Sequence, residues 1–103
     1  MGILNIVLQT ESGKVVESIG KDPHDLDRIL PPYEDKKFPY LRCVDRYGDT
    51  TFNYLQMEQF LEEWARLRSK AKTEEDLALF EGVEGLAKKC RDSIHYYLKF
   101  MGD

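Results

Sequence analysis

Residues 41–67 decide the fold of this chain, and their sequence is LRCVDRYGDTTFNYLQMEQFLEEWARL. The first residues belong to a predicted third strand over Phe38 to Arg46, with Pro39 near its beginning, where a missing backbone N–H is tolerated. The turn Tyr47-Gly48-Asp49 then leads into a short strand at Thr50-Thr51-Phe52. The stretch therefore predicts a β-hairpin that continues directly into a helix.

The start of that helix is the best-specified point of the chain. Asn53 is a suitable N-cap, and Gln56, three residues later, completes a capping box. Phe52 and Met57 stand at the two positions of a hydrophobic staple, which fixes the angle between strand and helix. Apolar residues then recur at steps of three and four, which predicts an amphipathic helix that runs to about Ala71. They are Met57, Phe60, Leu61, Trp64, Leu67 and Ala71.

The N-terminal third predicts a β-hairpin followed by a short helix. Ile3 to Thr10 and Val15 to Ile19 are rich in β-forming residues, and Gly13 suits the turn between them. Asp22 and Pro23 are good residues for a helix start. The pair Pro31-Pro32 stops that helix at about Leu30, and a polar loop over Tyr33 to Lys37 follows.

The C-terminal third predicts one long helix. Thr73 can cap it, and three acidic residues load its first turn. Apolar residues recur at steps of three and four from Leu77 to Met101. Gly82 and Gly85 interrupt this pattern, which indicates a kink or close packing against the preceding helix. The short link between the two long helices makes them antiparallel.

These elements predict an α+β fold in the order ββαββαα, with one domain over residues 1–103. Two β-hairpins form a small antiparallel sheet, and a C-terminal antiparallel helical hairpin covers one face of it. The predicted core is Leu4, Ile6, Leu8, Val16, Leu41, Cys43, Phe52, Phe60, Leu61, Trp64, Leu77, Phe80, Cys90 and Ile94.

Composition restricts the classes of partner. The 103-residue chain is 42% hydrophobic and 33% charged, which is typical of a globular protein, and its net charge is −4. An acidic domain is a poor candidate for binding nucleic acid or an anionic membrane. The start lacks the pattern of a signal peptide, and no apolar run reaches the length of a membrane span. We therefore expect a cytoplasmic protein whose partner is another protein, and the acidic charge favours a basic one.

Catalytic and metal motifs are absent from the sequence. His24 stands among Asp22, Asp25 and Asp27, but capping of a helix explains these acids without a metal. The residues His24, Cys43, Cys90 and His95 match no zinc spacing. We therefore expect no cofactor, no metal and two buried free thiols. An enzyme would have to use His24 or His95.

Six tyrosines in a small chain, together with the acidic charge, favour a protein-binding surface. We predict this surface at the sheet-end turn and the loop before it, because loops on a rigid scaffold often carry function. Its candidate residues are Tyr33, Glu34, Asp35, Tyr47 and Asp49. Nearby, Arg42, Asp45, Arg46 and Asp49 could form a small polar site, although turn chemistry and cross-strand ion pairs explain them as well.

Three functions remain open. The first is a small inhibitor that binds another protein, in the manner of bacterial immunity proteins or antitoxins, which an exposed aromatic patch ringed by acids would favour. The second is a sensor domain that binds a small molecule, which an unfilled apolar cavity would favour. The third is an enzyme, which a histidine with a perturbed pKa in a cleft would favour.

Overall fold

The computed structural model describes residues 3–19 and 26–102, with the side chain of Leu4 outside the description. The elements follow in the order β1 (Ile3–Thr10), β2 (Val15–Ser18), α1 (Leu26–Ile29), β3 (Asp49–Asn53), α2 (Met57–Ala65), α3 (Glu74–Arg91) and β4 (Tyr96–Gly102). Short 3-10 turns lie at Leu41–Cys43, Tyr54–Gln56 and Arg68–Lys70. The predicted α+β class, a small antiparallel sheet with helices on one face, is confirmed.

The four strands lie in the order β2-β1-β4-β3, and each neighbouring pair is antiparallel. Ile6 pairs with Phe100, and Leu98 lies between Leu8 and Phe52. All five of these side chains are buried, because alternate residues of a strand point to the same face. This face of the sheet forms one side of the hydrophobic core. Strands β1 and β2 form the predicted N-terminal hairpin.

Helices α2 and α3 pack on this face and against each other. The ring of Trp64 stacks on Phe60 of its own helix and on Phe80 of α3, with centroids 6.0 and 5.0 Å apart. The Trp64 indole Nε1 donates to the backbone oxygen of Phe80 at 3.0 Å, so its one polar atom is satisfied inside the core. Phe60 and Phe100 then join the helices to the sheet.

The predicted capping box at Asn53 is confirmed. The Asn53 side chain accepts from the backbone N–H of Gln56, whose side chain accepts from the backbone N–H of Asn53. The helix ends at Ala65 rather than at about Ala71. The turns that follow are closed by hydrogen bonds that span three residues instead of four, including Leu67 N to the Trp64 carbonyl at 2.9 Å. Leu67 remains buried in this tighter turn.

The predicted third strand over Phe38 to Arg46 is wrong. This segment is a loop with a 3-10 turn at Leu41–Cys43, and it buries Phe38, Leu41 and Val44, which lie three residues apart. The carboxylate of Glu63, fully buried on α2, accepts from the backbone N–H groups of Tyr40 and Leu41 at 3.1 and 3.0 Å. Those donors are therefore satisfied by a side chain instead of a neighbouring strand.

The predicted helix through Met101 is also wrong. Helix α3 ends at Arg91, and its last turn carries three basic residues, which suit a helix C-terminus. The last strand, β4, lies between β1 and β3 and connects them. Leu98 and Phe100 alternate with more exposed residues, so the apolar pattern there has the strand period of two.

The glycines of α3 do not divide the helix, which is continuous over 18 residues. Gly82 lies where an added Cβ would be 2.9 Å from Cδ1 of Ile19, so the close approach is to the end of the first hairpin rather than to α2. A Cβ at Gly85 would meet open space. Of these two glycines, only Gly82 lies where packing favours the absence of a side chain.

The predicted core is largely confirmed, with three corrections. Val16, Cys43 and Ile94 are exposed. Val16 lies on the edge strand β2, Cys43 belongs to the 3-10 turn, and Ile94 lies in the turn before β4. Leu61 is partly buried against the core, and Leu77 is half-buried. The prediction for Leu4 lies outside the described side chains.

The two glycines give a matched prediction. Gly85→Ala should raise the free energy of unfolding by about 0.5–1 kcal/mol, because alanine favours the helix and its methyl group meets nothing. Gly82→Ala should gain less or destabilise, because Ile19 must move. Urea unfolding of both variants measures the difference, and a larger gain at Gly82 would show that this packing is wrong.

Candidate functional site

An open pocket of about 490 Å³ lies where the loop after α1 meets the turn before β3. We call it the tyrosine pocket. Its lining residues are Tyr33, Arg42, Cys43, Val44, Asp45, Arg46 and Tyr47.

Arg42 and Tyr33 form one wall of the tyrosine pocket. The Arg42 Nε donates to the backbone oxygen of Tyr33 at 2.5 Å. The guanidinium carbon also lies 4.3 Å from the centroid of the Tyr33 ring, in cation–π geometry. The loop before the 3-10 turn is thus attached to the turn by one side chain that contacts both backbone and ring.

Asp45 and Tyr47 also line the tyrosine pocket. The Asp45 carboxylate accepts from the backbone N–H of Tyr47 at 2.8 Å, and the Asp45 N–H donates to Thr50 Oγ1 on β3 at 2.8 Å. A Cβ at Gly48 would lie 2.9 Å from Asp45 Oδ2, so a larger residue there would displace this carboxylate. This turn is therefore fixed to the edge of the sheet by hydrogen bonds at its start.

The base of the pocket is attached to three elements. Arg46 pairs with Asp27 of α1 at 3.2 Å, and its Nη2 donates to the backbone oxygen of Leu30 at 3.3 Å. The backbone N–H of Gly102 at the end of β4 donates to the Gly48 oxygen at 2.7 Å. Together with the Glu63 bonds to the 3-10 turn, these contacts attach the pocket to α1, β4 and α2.

The structure brings together two of the five predicted interface residues. Tyr33 and Tyr47 both line the pocket and are 65% and 72% exposed. Glu34 is exposed in the adjoining loop, and the Asp35 carboxylate accepts from the backbone N–H of Lys37 within that loop. Asp49 lies on β3 and pairs with Lys99 at 3.4 Å. Neither Glu34, Asp35 nor Asp49 is among the pocket's lining residues.

Arg42, Asp45 and Arg46 are charged residues near the predicted turn, where turn chemistry and cross-strand ion pairs also explain them. Their grouping around the tyrosines depends on the 3-10 turn, which replaced the predicted strand. The sequence feature that indicates this turn is the spacing of three residues between Phe38, Leu41 and Val44, because the buried residues of a strand would recur at every second position.

Of the two histidines, the structure describes His95. His95 is exposed, and its Nδ1 lies 2.6 Å from Oε1 of Glu11 on the first hairpin turn. The cluster of His24, Asp22 and Asp25 lies outside the described residues. Within residues 3–19 and 26–102, no group of three or more His, Cys, Asp and Glu side chains could hold a metal ion.

A second open pocket, of about 420 Å³, is basic and lies at the start of α3. It is lined by Arg28, Lys70, Lys72, Thr73 and Asp76. The buried Asp76 carboxylate already supplies an anion there, since it accepts from Arg28 at 2.6 Å and from the Lys72 backbone at 3.2 Å. The Arg28 hydrogen bond is the main reason that the pKa of Asp76 is lowered. This arrangement links α1 to α3 and serves stability.

A third open pocket, also of about 420 Å³, lies along the start of α2 and is acidic. Its lining residues are Leu55, Glu58, Gln59 and Glu62. Leu55 is 72% exposed, while Glu62 pairs with Arg66 one turn later at 3.2 Å.

No protein-family model matches the chain, and no curated protein or solved structure matches it either. Among the residues described, no helix is both long and apolar enough to cross a membrane. The function must therefore be argued from the geometry of the surface.

The two thiols should differ in reactivity. Cys43 is exposed at the pocket, whereas Cys90 is buried and burial raises the pKa of its thiol to about 11. Because the thiolate is the reacting species, a thiol reagent at pH 8 should modify one cysteine quickly and the second only after unfolding. Cys43→Ser should remove the fast reaction. Two fast thiols in the native protein would contradict the burial of Cys90.

Glu63 should be important for the shape of the pocket. Glu63→Gln replaces one acceptor oxygen with a donor, so we expect a loss of about 1–3 kcal/mol in stability. The amide hydrogens of Tyr40 and Leu41 should also exchange faster with solvent. Glu62→Gln is the control, because this neighbour is exposed and should cost under about 0.5 kcal/mol. Equal effects of the two changes would refute the role of Glu63.

Proposed function

We propose that this chain is a small protein-binding module that contacts its partner through the tyrosine pocket. The observation that supports this is the exposure of Tyr33 and Tyr47, at 65% and 72%, in the lining of one pocket. Tyrosine and arginine are enriched in protein interfaces, where they supply large contact areas with a polar end. This pocket presents two of each.

The attachment of the pocket supports the same function. Its walls are fixed by Arg42 to the loop, by Asp45 to β3 and by Arg46 to α1. A partner would therefore meet a preformed surface and lose little free energy in ordering it. This favours an inhibitor of immunity-protein or antitoxin type, whose task is to bind another protein.

The pocket is open rather than enclosed, and this distinguishes the two binding hypotheses. Small-molecule sites usually bury most of their ligand in a concave cavity. An open surface with two exposed rings in its lining suits a peptide segment of a protein better. The net charge of −4 favours a partner that is basic overall, and neither nucleic acid nor a membrane is part of the proposal. Free thiols at Cys43 and Cys90 suit a cytoplasmic location.

The proposal predicts that both tyrosines are energetically important for binding. The partner is first isolated from the native cell by crosslinking to the intact chain, and its affinity is then measured by calorimetry. Tyr33→Ala and Tyr47→Ala should each weaken it roughly tenfold or more. The association rate should fall as salt is added, because long-range attraction is screened.

Leu55→Ala is the matched control, since Leu55 is as exposed as Tyr47 but lies on the acidic pocket. It should leave the affinity unchanged. Alanine at Glu34, Asp35 and Asp49 tests the rest of the predicted surface. A partner whose affinity survives both tyrosine changes would show that the surface is wrong. Turnover of a small molecule that depends on His24 or His95 would show that the class is wrong.

A further inference from the structure

Arg42 differs from every other arginine of the chain. The other five each have a carboxylate partner: Arg28 with Asp76, Arg46 with Asp27, Arg66 with Glu62, Arg68 with Glu81 and Arg91 with Asp92. Within the described ranges, no carboxylate lies within ion-pair distance of Arg42, although this side chain is partly buried and lines the tyrosine pocket.

The orientation of Arg42 is nevertheless fixed. Its Nε is used by the backbone oxygen of Tyr33, and its plane is held against the Tyr33 ring. The two terminal nitrogens are the donors that remain for a ligand. An arginine that is fixed in this way loses little side-chain entropy when it forms paired hydrogen bonds to a planar anion.

We propose that Arg42 binds a carboxylate side chain, Asp or Glu, on the partner segment that enters the tyrosine pocket. This rests on the proposed function and names the chemistry of the partner. Residues beside that acid would contact the rings of Tyr33 and Tyr47. The overall charge of −4 acts on the approach of the two proteins, whereas Arg42 acts within the contact.

The charges around Arg42 favour a carboxylate over a phosphate. The charge of Arg46 is already matched by Asp27, and Asp45 lines the same pocket. Arg42 and Asp45 therefore contribute opposite charges, and a second negative charge on the ligand would be repelled. A carboxylate matches the two terminal nitrogens of Arg42 with one charge.

The test uses peptides in place of the unidentified partner. A random peptide library displayed on phage is selected on the full-length chain, and peptides that lose binding to Tyr33→Ala or Tyr47→Ala are kept. We expect these peptides to share an Asp or Glu. In the best peptide, replacement of that acid by its amide should weaken binding roughly tenfold or more, as expected for a charge-assisted hydrogen bond.

The protein variants complete a double-mutant cycle. Arg42→Lys keeps the charge but loses the paired geometry, and Arg42→Gln removes the charge. Against both variants, the acid-to-amide change in the peptide should have much less effect than against the natural chain. Arg91→Lys is the matched control, because Arg91 is an exposed arginine outside the pocket. The acid-to-amide change is made in the peptide, so its effect on the natural chain does not depend on how the variants fold.

Each other outcome overturns a defined step. Tyrosine-dependent peptides without a shared acid, or an acid whose replacement costs the same in every variant, would overturn the role of Arg42 and leave the proposed function standing. Tighter binding when a phosphoserine replaces the acid would overturn the choice of a carboxylate. A selection that yields no tyrosine-dependent peptide would overturn the proposed function together with this inference.

Discussion

The buried carboxylate of Glu63 connects the framework of this protein to its candidate binding surface. It lies on α2, the helix whose aromatic side chains pack on α3 and on the sheet, and it accepts from the backbone of Tyr40 and Leu41 and from the side chain of Gln59. A buried carboxylate needs several donors to offset its loss of water. The loop before β3 supplies two of these donors, and the loop thereby acquires a fixed conformation.

The second constraint is the position of β4. This strand separates β1 from β3, so the sheet is completed only when β1 and β4, which are far apart in sequence, are paired. Its Leu98 and Phe100 contribute to the core, and its Gly102 donates to the backbone of Gly48 beside the pocket. A side chain at position 102 would collide with the backbone of Asp45 and Arg46. The last residue of β4 therefore packs directly against the turn that carries Tyr47.

These two constraints explain how a small acidic protein presents a pocket with arginine side chains. Several charges of the described residues are matched by a partner in space: Arg46 by Asp27, Lys89 by Glu17 and Lys99 by Asp49. The Arg42 side chain is instead occupied by a backbone oxygen and an aromatic ring, which orient it without neutralising it. The local charge at the pocket therefore differs from the charge of the whole chain. Interfaces commonly separate these two effects, one in the rate of association and the other in the stability of the contact.

The sequence by itself determined the elements whose signals are local. The hairpin with Gly13 at positive φ, the capping box of Asn53 and Gln56 and the Thr73 cap depend on residues within a few positions of each other. The α+β class followed from these elements. For the candidate site, the sequence supplied the two tyrosines, because a loop rich in aromatic and charged residues is recognisable without coordinates.

The tertiary structure alone decided which residues join those tyrosines. Residues 38–46 have enough β-forming residues for a strand, but the buried carboxylate of Glu63, 22 residues along the chain from Leu41, satisfies their backbone instead. Tyr96–Gly102 could continue the helical pattern, but the space between β1 and β3 is filled by a strand. Both outcomes depend on partners that are distant in sequence. Local patterns do not encode such partners, because burial and hydrogen bonding across the core decide between two locally acceptable conformations.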